Sequence, residues 1–159
     1  MAEFVFTGFL PDEEFKNDLV RLRILRSEAA DPIRNWVPAS YFTICRVSDD
    51  MPVGKCDFRI GYNTGTYWGG NIGYEIDAEY RGNGYAGAAA ELLFALAHRY
   101  GMPYVTVAVN TENLASQRVC EKLGGNRSDA LDIPKEIDRY QRGERTTYLY
   151  RFDLPYYKI

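Results

Sequence analysis

The chain has 159 residues, 46% hydrophobic and 26% charged, enough apolar material for one packed core and too much for a disordered or fibrous protein. Its net charge of -3 at pH 7, with Lys and Arg scattered, leaves no basic stripe to neutralise phosphates, so nucleic acid is not an expected partner. "MAEFVFTGFLPDEEF" carries no basic leader and its apolar run breaks at Pro11, so neither a secretion signal nor a membrane span is expected. Cys45, Cys56 and Cys120, odd in number and far apart, are expected as buried residues in a reducing cytoplasm.

In chain order the pattern opens with strands. "LVRLRIL" (19–25) alternates apolar with charged residues, as a half-buried strand does. "SEAADPIRNWVP" (27–38) offers a short helix that Pro32 and Pro38 curtail. "SYFTICRV" (40–47) and "VGKCDFRI" (53–60), joined by "SDDMP", read as a hairpin. A glycine-rich loop, "GYNTGTYWGGN", leads to "IGYEID" (72–77), and these three runs predict an antiparallel meander.

After Gly84 the period changes. Tyr85, Ala89, Leu92, Leu93, Leu96 and Tyr100 fall at helical spacing, with Gly101 as the stop. "YVTVAV" (104–109) suits a buried strand, and a second helix is predicted over 114–123, between Asn113 as N-cap and Gly124. "TTYLYRF" (146–152) reads as a last strand, with a weaker one near 128–133. The order β-β-β-β-α-β-α-β-β predicts a mixed α/β layer forming one domain over 1–159.

"EYRGNGYAG" (79–87) contains two overlapping phosphate-binding spellings. One is G-x-G-x-x-G through Gly82, Gly84 and Gly87; the other is R-x-x-G-x-A through Arg81, Gly84 and Ala86. The dinucleotide reading needs a glycine loop tight against a strand of a βαβ unit and an acidic residue about 20 residues on. Here hairpins precede the loop, "AEYR" separates the strand from Gly82, and Glu112 falls late. A plain turn into a helix is the simplest alternative. The meander ending in "GYEI", the strand "VTVAV" and the helix "NLASQRVCEKLGG" favour a pyrophosphate site. Helix N-termini present free N–H groups at the positive end of the dipole, and glycine lets a ligand approach the backbone.

These residues carry a resemblance. "IGYEIDAEYRGNGYAGAAAELL" followed by "VAVNTENLASQRVCEKLGG" resembles the two central motifs of the GCN5-related N-acetyltransferase (GNAT) superfamily, R/Q-x-x-G-x-G/A after the fourth strand and N-x-x-S/A ahead of a helix. The match is specific over 72–125. "WVPASYFTICRV", "VGKCDFRIGYN", "GGNIGY" and "RYQRGERTTYLYRFDL" further resemble a poorly characterised bacterial branch. The resemblance implies an acyl-CoA N-acyltransferase fold, α/β with an antiparallel N-terminal meander and a parallel central strand pair. It also implies acetyl-CoA as cosubstrate. The main chain of Arg81, Gly82, Asn83, Gly84, Tyr85 and Ala86 would cradle its pyrophosphate. Pantetheine would lie between "GYEI" and "VTVAV", against the backbone near Glu75, Ile76 and Asp77. Asn113 and Ser116 would sit over the pantetheine arm, with Asn113 equally readable as a plain helix cap. Arg118, Lys122 and Arg127 are further phosphate candidates or simply solvated charges.

The implied chemistry is direct acetyl transfer to a primary amine of a small-molecule or amino-acid-like acceptor. An ammonium cannot attack, so a base must first take its proton. Glu75 is the candidate base, since strand alternation sets it opposite Tyr74 and Ile76; its other reading is an ion pair with Arg59 or Lys55, and Asp77 is a weaker candidate. The Ile76 N–H is the expected oxyanion donor. Many superfamily members carry a tyrosine acid seven residues after the motif asparagine, where this chain has Cys120, readable as a plain packed helix residue; Tyr148 and Tyr150 on the last strand are candidates to substitute, or else core and sheet-packing tyrosines. Gly125 stands where phenylalanine is frequent. Arg59, with Tyr140 or Arg142 from the polar loop 134–145, is a candidate to contact the acceptor, the other reading of that loop being an ordinary surface loop. The single histidine, His98, and the absence of C-x-x-C speak against nucleophilic triads and metal. A second reading, from another class, is a non-catalytic acyl-CoA-binding module. Oligomeric state stays open, a homodimer included.

Overall fold

Alternation of apolar and polar side chains draws the first half of the chain into one antiparallel sheet. The computed structural model describes residues 4–11 and 15–157. Five strands pair in sequence order: β1 (Phe15–Lys16), β2 (Val20–Glu28), β3 (Ala39–Arg46), β4 (Pro52–Arg59) and β5 (Ile72–Ile76). Their register sets Phe42, Cys56 and Tyr74 in one row, and Tyr41, Asp57 and Gly73 in the next. The first row belongs to a face that is apolar and packed; the second belongs to a face that is polar.

The packed face receives α2 (Tyr85–Arg99), whose buried residues Ala89, Ala90, Leu93, Phe94, Leu96 and Ala97 form its inner stripe. Alanine at three of those positions lets helix and sheet approach closely, and the stripe joins one hydrophobic cluster with Phe42, Phe58, Ile72 and Tyr150. A second antiparallel sheet follows, built from β6 (Tyr104–Asn110), β7 (Asn126–Arg127), β8 (Leu131–Asp132) and β9 (Thr146–Asp153), in the order β6-β9-β7 with β8 also on β9. α3 (Leu114–Lys122) connects β6 to β7. None of the described helices is long and apolar enough to cross a membrane.

Three local predictions meet a different outcome. Residues 27–38 form no helix: Ser27 and Glu28 extend β2 by pairing with Ser40 and Ala39, and Asp31 and Trp36 close a turn by exchanging two 2.9 Å backbone bonds. Prolines at 32 and 38 remove the donors a helix there would need. The glycine-rich loop holds a short helix, α1 (Thr64–Gly69), because Asn63 and Thr66 form a reciprocal capping box. The polar loop 134–145 contains α4 (Asp138–Gln141) and is anchored by the buried Arg139. Of the weak strand expected near 128–133 only β8 forms, while β7 lies just before that span.

The two sheets meet at a seam between β5 and β6. Every laddered strand pair is antiparallel, and β5 and β6, expected as a parallel pair, exchange no ladder among the described residues. The buried Asn71 links them instead. Its N–H donates to the Thr106 carbonyl (2.8 Å) and its side-chain oxygen accepts from the Thr106 N–H (3.0 Å). Its amide nitrogen donates to the carbonyls of Gly61 (2.8 Å) and Arg59 (3.1 Å). Gly70 lies so close to β6 that a Cβ would stand 2.8 Å from the Ala108 nitrogen, and its φ of +78° is itself a glycine conformation.

Gly70→Ala therefore combines backbone strain with a clash that no side chain can relieve. A loss of about 1–3 kcal/mol is expected, lowering Tm by several degrees. An unchanged Tm in thermal unfolding would show that the seam does not need this close approach.

Candidate active site

Past Asn71, β5 presents an edge to the seam. The Arg59 N–H donates to the Asn71 carbonyl (2.7 Å) and the Asp77 N–H to the Val53 carbonyl (2.8 Å), which fixes the parity of the strand. Within the strand the odd-numbered Gly73 and Glu75 turn their main-chain groups toward β4, so those of Ile72, Tyr74 and Ile76 turn toward β6. The Ile76 carbonyl accepts from Arg81 Nε at 2.9 Å, while its N–H faces the seam. The Asp77 amide is engaged with β4 and does not belong to this edge.

The strand then enters a 3-10 turn (Ala78–Tyr80) and the exposed loop 81–84. Gly82 and Gly84 both have left-handed backbones, with φ of +85° and +80°, and a Cβ at Gly82 would meet nothing within 4 Å. Gly84 is the N-cap of α2 and caps it with no side chain, leaving the first-turn N–H groups without a side-chain acceptor. Asn83 is folded back, its amide donating to the Tyr80 carbonyl at 2.9 Å. Arg81 points toward β5, so the loop offers main chain rather than a guanidinium.

On the packed face, Tyr74 reaches from β5 to α3. Its hydroxyl lies 2.9 Å from Ser116 Oγ and 3.6 Å from Cys120 Sγ. Burial pushes the phenol well above the ordinary tyrosine range, and burial likewise pushes the Cys120 thiol up to about 11. Asn113 is the cap of α3, its side chain accepting from the Ser116 N–H at 3.1 Å. Tyr148 sits on β9, beyond β6, with the Arg127 guanidinium over its ring at 4.4 Å, and Tyr150 is fully buried. A Cβ at Gly125 would stand 2.7 Å from the Phe152 ring, so β9 supplies the aromatic ring that a phenylalanine at 125 would otherwise bring.

The polar face holds the charges. Glu75 pairs with Lys55 at 3.7 Å, both largely solvent-exposed (63% and 73%), and Arg59 pairs not with Glu75 but with Asp57, at 2.7 Å. Glycine at 73 makes room for Asp57, whose Oδ1 lies 2.6 Å from where a Cβ would stand. A cavity of about 500 Å³ opens on this face beside Arg26, Tyr41, Lys55, Asp57, Gly73 and Glu75. A second, of about 440 Å³, shares Tyr41 and is walled by Trp36, Arg59, Trp68, Arg139 and Arg142. Arg59 is on that wall, but its guanidinium is already committed to Asp57 and to the carbonyls of Gly69 and Gly70. Tyr140 is not among the lining residues; its ring carries the Arg145 guanidinium at 3.7 Å.

Arg139 was not anticipated as a site residue, because nothing local distinguishes it from the other arginines of a polar loop. It makes a fork to Glu144 (2.9 and 3.2 Å) and donates from Nη1 to the Trp68 carbonyl (2.8 Å) and Thr147 Oγ1 (2.9 Å). It thereby ties α4 to α1 and β9 and shapes the second cavity. Its hydrogen bonds hold the Glu144 carboxyl below the usual carboxylate range. A depressed folded pKa contributes stability that is present above the unfolded carboxylate pKa and is lost as pH falls through the folded one. Arg139→Met should cost about 3 kcal/mol at neutral pH. Its deficit relative to wild type should shrink in denaturant titrations below the carboxylate range, and a pH-independent deficit would show that the ion pair is not its source.

Comparison with known proteins gives the family and the fold. A family profile described as "Acetyltransferase (GNAT) domain" matches residues 5–126. No curated protein matches the chain. A GNAT-family acetyltransferase from Bacillus anthracis is similar in structure at 22% identity and a TM-score of 0.57, covering 71% of this chain; the chain spans 65% of that protein, just under two thirds. The ribosomal L7/L12 alpha-N-protein acetyltransferase RimL, in complex with coenzyme A, is similar at 13% identity and a TM-score of 0.64, over 89% of this chain and 98% of its own. The microcin C7 self-immunity acetyltransferase MccE, in complex with acetyl-CoA and AMP, is similar at 16% identity and a TM-score of 0.57, over 73% and 61%. At these identities the likeness shows the fold. The family match spans most of the chain, and the chain belongs to the GNAT acetyltransferase family.

Proposed function

We propose that the chain transfers an acetyl group from acetyl-CoA directly to the primary amine of an amino-acid-like acceptor, free or at the start of a peptide. The observation that carries this reading is the open β5 edge, which runs from Tyr74 and Ile76 to the uncapped N-terminus of α2. An extended pantetheine can pair with such an edge as an added strand. Main-chain N–H groups between Arg81 and Ala86 suit a pyrophosphate at the loop's end. RimL and MccE, bound to coenzyme A and acetyl-CoA in their structures, support the choice of cosubstrate. The amino-terminal acceptor named for RimL is amino-acid-like in the same sense. Three free, buried cysteines fit a cytoplasmic location.

Glu75 takes the amine's proton from the polar face, where the first cavity admits an acceptor beside the edge. The amine nitrogen then bonds to the acetyl carbon, with the oxygen's developing charge facing the Ile76 N–H. The carbon–sulfur bond breaks and its electron pair leaves on sulfur; the nitrogen gives its second proton to solvent to become the neutral amide, and Glu75 releases the first one to solvent. Asp57 and Lys55 set the local charge but lie one strand further from the edge.

Thermal unfolding with acetyl-CoA, coenzyme A and NAD(H) tests the cosubstrate. Ligand at about 100 times Kd stabilises by about 2.7 kcal/mol, so either coenzyme A form should raise Tm by several degrees and NAD(H) should not. A shift confined to NAD(H) would overturn the reading. For the base, Glu75→Gln should lower kcat/KM by about 10²–10⁴-fold in a thiol-release assay with amino-acid amides and short peptides, while keeping the acetyl-CoA Tm shift. Retained turnover across pH would remove Glu75 from that role.

A further inference from the structure

A leaving thiolate needs something to receive its charge, and the Tyr74 phenol lies at the seam. Tyr74 is rooted on the edge itself, with its main chain turned to the seam, and its side chain crosses on the packed face to the helix that follows β6. A substrate lying along the edge therefore passes over this side chain. The other hydroxyls of the region are less well placed. Tyr148 belongs to β9, beyond β6 and under Arg127, and the Tyr150 hydroxyl is turned to Glu121 Oε1 at 3.4 Å.

We propose that the Tyr74 hydroxyl donates a hydrogen bond to the sulfur as the carbon–sulfur bond breaks, with Ser116 holding the phenol in place. The assignment rests on the acetyl-transfer reading above. Ser116 Oγ lies 2.9 Å from the phenol oxygen, a contact in which either hydroxyl can donate; with Ser116 as the donor, the phenol's own proton is left for the substrate sulfur, its alternative acceptor being Cys120 Sγ at 3.6 Å. The electron pair of the broken bond stays on sulfur, which leaves as a thiolate and takes its proton from solvent. Tyr74 keeps its proton throughout. An ordinary thiol, with a pKa near about 8.5, is far more acidic than a buried phenol, so hydrogen bonding is favoured and full transfer is not. Cys120 is itself fully buried and stands beside the partly buried Tyr74.

The decisive variant is Tyr74→Phe, which deletes one oxygen. Expected are an acetyl-CoA-induced Tm shift like that of wild type, a kcat lower by about 10²-fold and a KM for acetyl-CoA changed by less than about threefold. A second readout needs no turnover. The pKa of bound coenzyme A thiol, followed by ultraviolet thiolate absorbance, should be higher in Tyr74→Phe than in wild type by about one unit. An acetyl donor with a more acidic thiol should narrow the kcat gap. Ser116→Ala, which retains the phenol, should move both readouts in the same direction by less, whereas Cys120→Ala should leave kcat within about threefold. Equal kcat and equal bound-thiol pKa in wild type and Tyr74→Phe would overturn the role of Tyr74 alone. Failure of wild type to bind acetyl-CoA would instead overturn the function on which it rests. If Tyr74→Phe does not fold, Ser116→Ala decides, and no change in its bound-thiol pKa counts against the proposal.

Discussion

The arrangement depends on the seam where Asn71 and Gly70 join the two sheets. Asn71 satisfies both main chain and side chain across the gap to Thr106, and Gly70 lets the backbones touch. A buried polar linkage of this kind is stabilising only when every group is paired, and here the amide's donors and acceptor all have partners. Because no ladder continues beyond it, the next residues of β5 keep their outward main-chain groups. An interrupted sheet is thus what makes a binding edge available inside a well-packed protein.

That edge divides the chemistry between two faces. The strand's period of two sends Glu75 to the polar face and Tyr74 to the packed one, while the main chain of Ile76 lies between them. In the proposed reaction the water-accessible Glu75 carboxylate sits where a proton enters and leaves, and the partly buried Tyr74 hydroxyl sits where a donor holds its proton. Gly73 contributes by what it lacks, since the space of its missing side chain holds Asp57 against Arg59.

The outer wall is an electrostatic construction. Arg139 gathers the Trp68 carbonyl, Thr147 and Glu144, and Arg59 gathers Asp57 and the carbonyls of Gly69 and Gly70. Both arginines hold loops whose own residues are too few and too polar to form a core. The same commitments take them out of direct competition for a ligand, so the cavity between them is shaped by Trp36, Trp68 and Tyr41 as much as by charge.

Much of the fold was legible because its signals are local. Strand alternation at Tyr74, Glu75 and Ile76, the helical spacing from Tyr85, the Asn113 cap and the glycines at 82 and 84 each act within a few residues, and the family motifs lie on them. The sequence alone therefore determined the family, the loop and the opposite facing of Glu75 and Tyr74. It did not show α1, whose capping box is hidden among glycines, nor α4, whose anchor is a single arginine. Only the tertiary structure decided that Tyr74 ends on Ser116, that Phe152 fills the space beside Gly125 and that Arg139 closes a cavity wall. These contacts join residues 27 to 71 positions apart, and no local propensity or period encodes which distant partner a side chain will meet.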